Sequence, residues 1–349
     1  MLGYLCMRSA PHPTYDLIDS FGRTATDLRV SLTDKCNLRC TYCMPAEGLQ
    51  WMPSPQVLTD DEVIRLVSIA VTRLNVTSVR FTGGEPLLRK SLESIVSTTS
   101  SLRTPQGTSP SIALTTNGLG LDKRITGLVD AGLDRINISL DSLDPQRYAE
   151  LSRRARLDDV LKGIDAAVRT GIAPIKINTV VMPGVNEDDI VPLARYCLST
   201  GLQLRFIEQM PIGAEGNWDK SSMITAAQIL EVLSSEIELS EASQPRGHAP
   251  AELWNASYQG IQGSIGVIAA VTQPFCGACD RTRLTADGSI RNCLFAHDEF
   301  SLRDLMRDGA SDDELAQAWK GHAYTKAAGH GINDLGFLKP TRTMSAIGG

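Results

Sequence analysis

Residues 28–43 read LRVSLTDKCNLRCTYC. Leu28, Val30 and Leu32 alternate with polar or charged neighbours, the period of a strand with one face in an apolar core. The run ends at Thr33, and Cys36, Cys40 and Cys43 follow on the loop that it opens. Outward from this stretch the same unit recurs. Strand-like runs lie at 28–33, 78–82, 111–116, 135–140, 176–182 and 203–209, with amphipathic helical stretches at 60–74, 122–131, 158–170 and 188–200 between them. Three of these helical stretches stop at Gly132, Gly171 and Gly201, residues that accept the left-handed conformation at a helix end. Strands that alternate with helices build a parallel sheet. The repeats predict an α/β fold, a partial (β/α)6 barrel of parallel strands, because a closed eight-unit barrel takes about 250 residues.

Past residue 211 the pattern changes. A helix is expected at 225–234, a loop at 240–250, strands at 263–271 and 281–285, and a hairpin turn at Asp287-Gly288 ahead of a strand-like run at 289–295. Helices close the chain at 302–307 and 312–328. The division expected is an N-terminal extension at 1–22, the barrel at 23–211, and a β-rich and helical C-terminal region at 212–349 that carries a second cysteine group. The Ser/Thr-rich stretch 97–111 reads as a long surface loop.

Composition narrows the function. In 349 residues, 34 Lys and Arg stand against 40 Asp and Glu, a net charge of −6, so no global basic field exists to hold nucleic acid or an anionic membrane. The apolar run 265–271 is far shorter than the roughly 18 residues of a membrane span. The first 16 residues lack the apolar run of a secretory signal, so a cytoplasmic protein is expected. Of eight cysteines, Cys6 and Cys197 read as ordinary thiols and the other six fall into two tight groups. Such clustering in a cytoplasmic chain indicates metal binding before disulfides.

In parallel α/β folds ligands bind at the C-terminal ends of the strands. The unusual residues all fall there: Cys36 to Cys43, Gly83-Gly84-Glu85-Pro86, Thr115-Thr116-Asn117-Gly118, Ser139, Asp141 and Met210-Pro211. Cys36, Cys40 and Cys43 offer three thiolates from one loop with no fourth ligand nearby. That set suits a four-iron cluster with one open iron, and a structural zinc completed from afar by Cys197 or His248 is the other reading. Cys276, Cys279 and Cys293 form the second group, which with His297 fits a Cys3His zinc site on spacing alone. Arg281-Thr282-Arg283 beside it suits an anionic ligand, because guanidinium forks match phosphate oxygens.

The cysteine loop, with Tyr42 ahead of its last cysteine, resembles the signature of the radical S-adenosylmethionine enzymes. Gly83-Gly84-Glu85-Pro86 resembles their second motif, whose backbone and carboxylate contact the methionine ammonium. From residue 23 to the end the chain is similar to one branch of that family, which cyclises GTP at the start of molybdenum cofactor (molybdopterin) biosynthesis. Leu38 replaces the Phe often found there, and residues 1–22 have no counterpart and are expected to be a disordered extension.

The resemblance implies two [4Fe-4S] clusters, one on Cys36, Cys40 and Cys43 and one on Cys276, Cys279 and Cys293. It implies S-adenosyl-L-methionine contacts at Tyr42, Gly84, Ser139 and Met210, and GTP contacts at Arg29, Arg80, Thr115, Lys176, Arg281, Thr282 and Arg283. The closing Gly348 and Gly349 are expected to reach the active site. In that branch a reduced cluster splits S-adenosylmethionine, the resulting radical takes the 3′ hydrogen of GTP, and the ribose carbon closes on guanine carbon 8. The product is (8S)-3′,8-cyclo-7,8-dihydroguanosine 5′-triphosphate. The partners implied are GTP, an electron donor of the flavodoxin or ferredoxin type, cyclic pyranopterin monophosphate synthase as consumer of the product, and a second copy in a homodimer.

Overall fold

The computed structural model describes residues 15–213 and 218–348. Strands β1 (Asp27–Ser31), β2 (Ser78–Thr82), β3 (Ser111–Thr116), β4 (Arg135–Ser139), β5 (Ile175–Val181) and β6 (Gln203–Glu208) fall where the apolar runs place them. The later strands are β7 (Glu238–Glu241), β8 (Glu252–Tyr258), β9 (Ile261–Ile268), β10 (Arg281–Leu284), β11 (Ser289–Arg291) and β12 (Phe300–Ser301). The helices are α1 (Asp60–Arg73), α2 (Leu92–Ser101), α3 (Ile125–Asp130), α4 (Pro145–Ser152), α5 (Leu157–Arg169), α6 (Ile190–Ser199), α7 (Ala226–Ser234), α8 (Leu302–Arg307), α9 (Asp312–Tyr324) and α10 (Met344–Ile347).

Among the described residues all strands join one sheet, in the order β12-β11-β10-β1-β2-β3-β4-β5-β6-β9-β8-β7. β1 to β6 run parallel, and β10 and β9 add in parallel at either side of them. The α/β fold with a parallel sheet is therefore as expected. The strands after residue 211 flank the barrel strands on both sides within that sheet.

Each central strand has two different faces. Val30, Phe81, Leu114, Ile138, Ile177 and Phe206 point to one side and are fully buried in the main core. Register places Arg283, Arg29 and Arg80 side by side on the other face, followed by Arg135 beside Ala113, Lys176 beside Asn137, and Arg205 beside Asn178. The sheet must curve around this polar face. In a flat sheet β1 and β6 would lie about 24 Å apart at 4.8 Å per strand. Beyond the effect of burial, Arg29 nevertheless lowers the basicity of Arg205, as Arg80 does that of Lys176 on β5, so the polar face is the inside of a partial barrel.

Three expectations need correction. The first third of the supposed loop 97–111 is the end of α2, whose Leu92, Ile95, Val96 and Thr99 repeat at helical spacing and are buried. Its Ser and Thr residues sit in a helix because their hydroxyls bond back to carbonyls one turn earlier, as Thr99 does to Ile95. The supposed loop 240–250 begins inside β7, which pairs with the unanticipated β8. Within the supposed disordered extension, residues 15–22 are placed: Leu17 is buried, Ile18 bridges Thr24, and Asp19 pairs with Arg23. Cys6 lies outside the described residues.

Trp319 fixes α9 to the sheet beside β10. It is fully buried, and its indole donates to Thr282 Oγ1 at 3.3 Å. Trp319→Ala is expected to destabilise the chain by about 3–5 kcal/mol. Trp319→Phe, which keeps the packing and loses the hydrogen bond, should cost about 1 kcal/mol. Urea unfolding followed by circular dichroism measures both, and equal losses would show that packing at this position does not dominate.

Candidate active site

The first cysteine group lies on the loop after β1, at the C-terminal end of the parallel strands. Cys36, Cys40 and Cys43 are free thiols, half-buried and close enough to raise one another. Burial is the larger cause, and it pushes Cys43 up to about 12. Asn117 Nδ2 approaches Cys36 Sγ at 3.8 Å and donates to Asn37 Oδ1 at 2.7 Å, so the end of β3 steadies this loop. The Tyr42 hydroxyl donates to Asp141 Oδ2 at 2.8 Å, and Asp141 Oδ1 accepts from the Val180 amide at 2.9 Å. Burial holds the Asp141 carboxyl up at about 6.

Gly84 is where the ends of β1 and β2 meet. A Cβ there would stand 2.3 Å from the Lys35 carbonyl oxygen and 2.5 Å from that of Asp34, so only glycine lets the two loops touch. Next to it Glu85 is fully buried and takes three donors: the Thr116 hydroxyl at 2.7 Å, the Asn117 amide at 2.7 Å and the Leu87 amide at 2.9 Å. This carboxylate is thereby committed to bracing β2 against β3. Ser139 ends β4, half-buried, and Met210, just past β6, packs on a small apolar cluster that includes Ile212, Val271 and Phe295 and is shared by Cys293.

The second group sits beside β10. Burial alone would raise the Cys279 thiol, but Arg281 and Lys326 overcome it and hold it at about 7. Lys326 is itself buried and donates to the Arg281 carbonyl at 2.8 Å. The His330 amide donates to the Cys276 sulfur. His297, the fourth zinc ligand that spacing offers, donates instead to the Leu338 carbonyl at 3.2 Å. Among the described residues no three His, Cys, Asp or Glu are arranged around a single metal ion.

Between the two groups runs the cationic inner face. Burial lowers Arg29, takes Arg80 to about 9, Arg283 to about 9, Arg205 to about 10 and Lys176 to about 7, and neighbouring cations lower them further. Nε of Arg29, Nε and Nη1 of Arg80 and Nε of Arg205 are buried without a partner. Thr115 stands in register with Asn137 on the same face. Arg281 and Arg283 join it, but the Thr282 side chain does not. It points to the opposite side, 1% exposed against Trp319, because β10 alternates. The resemblance does not point to Arg135 or Arg205, but each is a charge within an apolar strand, the sequence signal that could have found them. Arg135 is engaged with Ser111 and Ser78 at 2.6 and 2.8 Å. Gly348 lies at the mouth, its carbonyl 2.5 Å from Arg283 Nη1, while Gly349 lies outside the described residues.

Two protein-family models match successive parts of the chain. The Radical SAM superfamily model matches residues 30–197, and the Molybdenum Cofactor Synthesis C model matches residues 202–332. The fold is similar to that of Streptococcus suis SuiB bound to S-adenosylmethionine, with a TM-score of 0.57 at 14% identity over 90% of this chain and 67% of SuiB. A sheet of this topology with three cysteines on its first loop is that of a radical S-adenosylmethionine protein. More closely, a GTP 3′,8-cyclase of Corynebacterium glutamicum strain R is 64% identical over 336 residues, 95% of this chain and 89% of that protein. One from Mycobacterium sp. strain KMS is 57% identical over 96% of this chain and 94% of its own. This chain belongs to the GTP 3′,8-cyclase family.

Glu85 makes stability depend on pH. Burial raises its folded pKa to about 7 from the ordinary 4.5 of a glutamate, so between these values the folded state holds a proton that the unfolded state has lost. Stability should therefore fall as pH rises from 4.5 to 7, by up to about 3 kcal/mol, and level off above. Glu85→Gln should flatten that decline, which urea unfolding at pH 5 and pH 8 would measure. An equal decline in the variant would assign it to another group.

Proposed function

We propose that this protein is a GTP 3′,8-cyclase that forms (8S)-3′,8-cyclo-7,8-dihydroguanosine 5′-triphosphate for molybdenum cofactor biosynthesis. The observation that carries this reading is the inner face. Arg29, Arg80, Lys176, Arg205, Arg281 and Arg283 converge there, and at the inward positions of the strands that line it Asp27 is the one carboxylate, Glu208 of β6 lying on the opposite face. Arg29, Arg80 and Arg205 keep buried nitrogens that have no acceptor, which is costly, and a triphosphate supplies acceptors.

Cys36, Cys40 and Cys43 would hold one [4Fe-4S] cluster, and Cys276, Cys279 and Cys293 a second. Thiols that crowd one another are a soft donor set, suited to iron and sulfur. When bound, the first cluster and S-adenosylmethionine supply one-electron chemistry able to remove a ribose hydrogen. The chain supplies position. Asp141 fixes Tyr42, Gly84 lets backbone approach the cofactor, and Ser139 and Met210 complete its pocket. Arg29, Arg80, Thr115, Lys176 and Arg205 clamp the nucleotide, and Arg281 and Arg283 hold it against the second cysteine group. Orientation of this kind keeps a reactive species from side reactions. Residues 23–211 would form the cofactor-binding part and 212–349 the part that presents the substrate. A flavodoxin or ferredoxin type donor, transfer of product to cyclic pyranopterin monophosphate synthase, a homodimer and a cytoplasmic location complete the proposal.

Anaerobic incubation of the iron-reconstituted, reduced protein with S-adenosylmethionine tests this, with and without GTP, by mass spectrometry. GTP-dependent 5′-deoxyadenosine and a cyclised nucleotide are expected, and Cys36→Ala should abolish both. 5′-Deoxyadenosine without nucleotide turnover would remove GTP as substrate.

Lys176 gives an independent prediction. Burial leads Arg205, Arg80 and Arg135 in pulling it to about 7, and a bound triphosphate would return it to the charged form. GTP binding at pH 8 should take up about one proton, and affinity should fall as pH rises above 7. Calorimetry in buffers of different ionisation heat reads the uptake, which Lys176→Met should abolish. Uptake unchanged in that variant would place the proton elsewhere.

A further inference from the structure

The last described residues form a strap across the mouth of the barrel. Thr343 opens the one-turn helix α10, in which Ser345 and Ile347 are buried. The Ser345 amide donates to the Cys43 sulfur, on the loop of the first cysteine group. Gly348 then places its carbonyl 2.5 Å from Arg283 Nη1, beside the second group. A Cβ on Gly348 would lie 2.9 Å from Thr82 Cγ2 and 3.0 Å from Ser31 Cβ, so the strap ends against the tips of β1 and β2. One short segment thus touches the surroundings of both cysteine groups.

A single helical turn does not hold itself together, since isolated helices need about 12 residues to persist. Packing does not fully hold the strap either. Between Thr343, Ser345 and Ala346 and the loop bearing Trp51 and Met52 lies a cavity of ≈ 370 Å³. What fixes its root is Arg342. Its guanidinium makes a bidentate pair with Asp287, Nη1 to Oδ1 at 3.0 Å and Nη2 to Oδ2 at 2.7 Å, and Nη2 also reaches Glu299 Oε2 at 2.7 Å. Asp287 is in the turn that joins β10 to β11, and Glu299 also pairs with the buried Arg291 of β11. The same hairpin therefore grips the strap at both ends, through Asp287 at the root and through Arg283 at the tip. A bidentate pair shielded from water is the strong form of ion pair.

We propose that Arg342 is a positioning residue for the reaction: its latch on Asp287 and Glu299 holds residues 343–348 across the mouth, keeping Gly348 on Arg283 while substrate is bound. The turnover arm of the test rests on the function proposed above. The exchange arm does not.

The test compares the reconstituted wild type with Arg342→Gln and Arg342→Lys by hydrogen exchange of amides 344–348, iron content, GTP kinetics, and 5′-deoxyadenosine formed per cyclised nucleotide. Arg342→Gln should keep its iron and speed exchange of these amides by about tenfold, the order expected for loss of a shielded bidentate pair. It should lower kcat more than it raises KM and form more 5′-deoxyadenosine per product. Arg342→Lys should recover most of each effect. If Arg342→Gln fails to fold, Glu299→Gln, which removes one of the two carboxylates, should show the same changes to a smaller degree. Unchanged exchange would overturn the latch, and faster exchange with unchanged coupling would overturn its role in positioning. If the wild type makes 5′-deoxyadenosine but no cyclised nucleotide, the proposed function fails and the exchange result alone decides the latch.

Discussion

Like charges held close together on one face of a curved sheet are the constraint to which the rest of this structure answers. Burial first, and then neighbouring cations, lower the basicity of Arg29, Arg80, Lys176, Arg205 and Arg283, and several of their nitrogens are buried with nothing to bond. Such a face opposes folding. Its counterweight is the other side of the same strands, where most residues are buried aliphatic or aromatic side chains under the helices. The period of two that defines a strand puts a cationic lining and an apolar core on the same few residues. Arg29 is flanked by Leu28 and Val30, and Arg205 by Leu204 and Phe206.

Charge is treated differently at the rim. Glu85 and Asp141 are buried there, but each is filled with donors, and each fixes a neighbour: Glu85 the ends of β2 and β3, Asp141 the ring of Tyr42. Of the inner cations, Arg29, Arg80 and Arg205 each keep a buried nitrogen without a partner. Satisfied carboxylates make the frame rigid, while unsatisfied guanidinium groups leave capacity for a ligand. The second cysteine group combines the two, since Lys326 bonds the backbone of the Cys276 to Arg281 segment while its charge acts on the Cys279 thiol.

Much of this could be read from the sequence because strands and cysteine loops write locally. The six central strands and the place of both cysteine groups follow from period and spacing, whereas Arg29, Arg80 and Lys176 are marked by the family resemblance. What could not be read depends on distant pairing. β7 and β8 exist because they pair with each other and with β9 at the sheet edge, and their half-exposed residues carry weak alternation. α2 was obscured because Ser and Thr occupy its outer face. Thr282 shows the limit of transferring a motif whole: its neighbours turn inward, and the pleat turns it toward Trp319. Lys326 carries no sequence signal at all.

The pairing of β1 with β10 has a consequence for how the chain is made. Asp27 to Val30 are synthesised early, yet one of their two neighbouring strands, Arg281 to Leu284, emerges only near the end. During synthesis β1 is therefore an edge, with one row of backbone groups open to any passing strand. Pairings between such remote segments form slowly, and intermediates with open edges are prone to aggregate. The strand that completes the cationic lining is also the one that covers this edge. A nascent chain thus stays vulnerable on one side until the last quarter of the protein has left the ribosome.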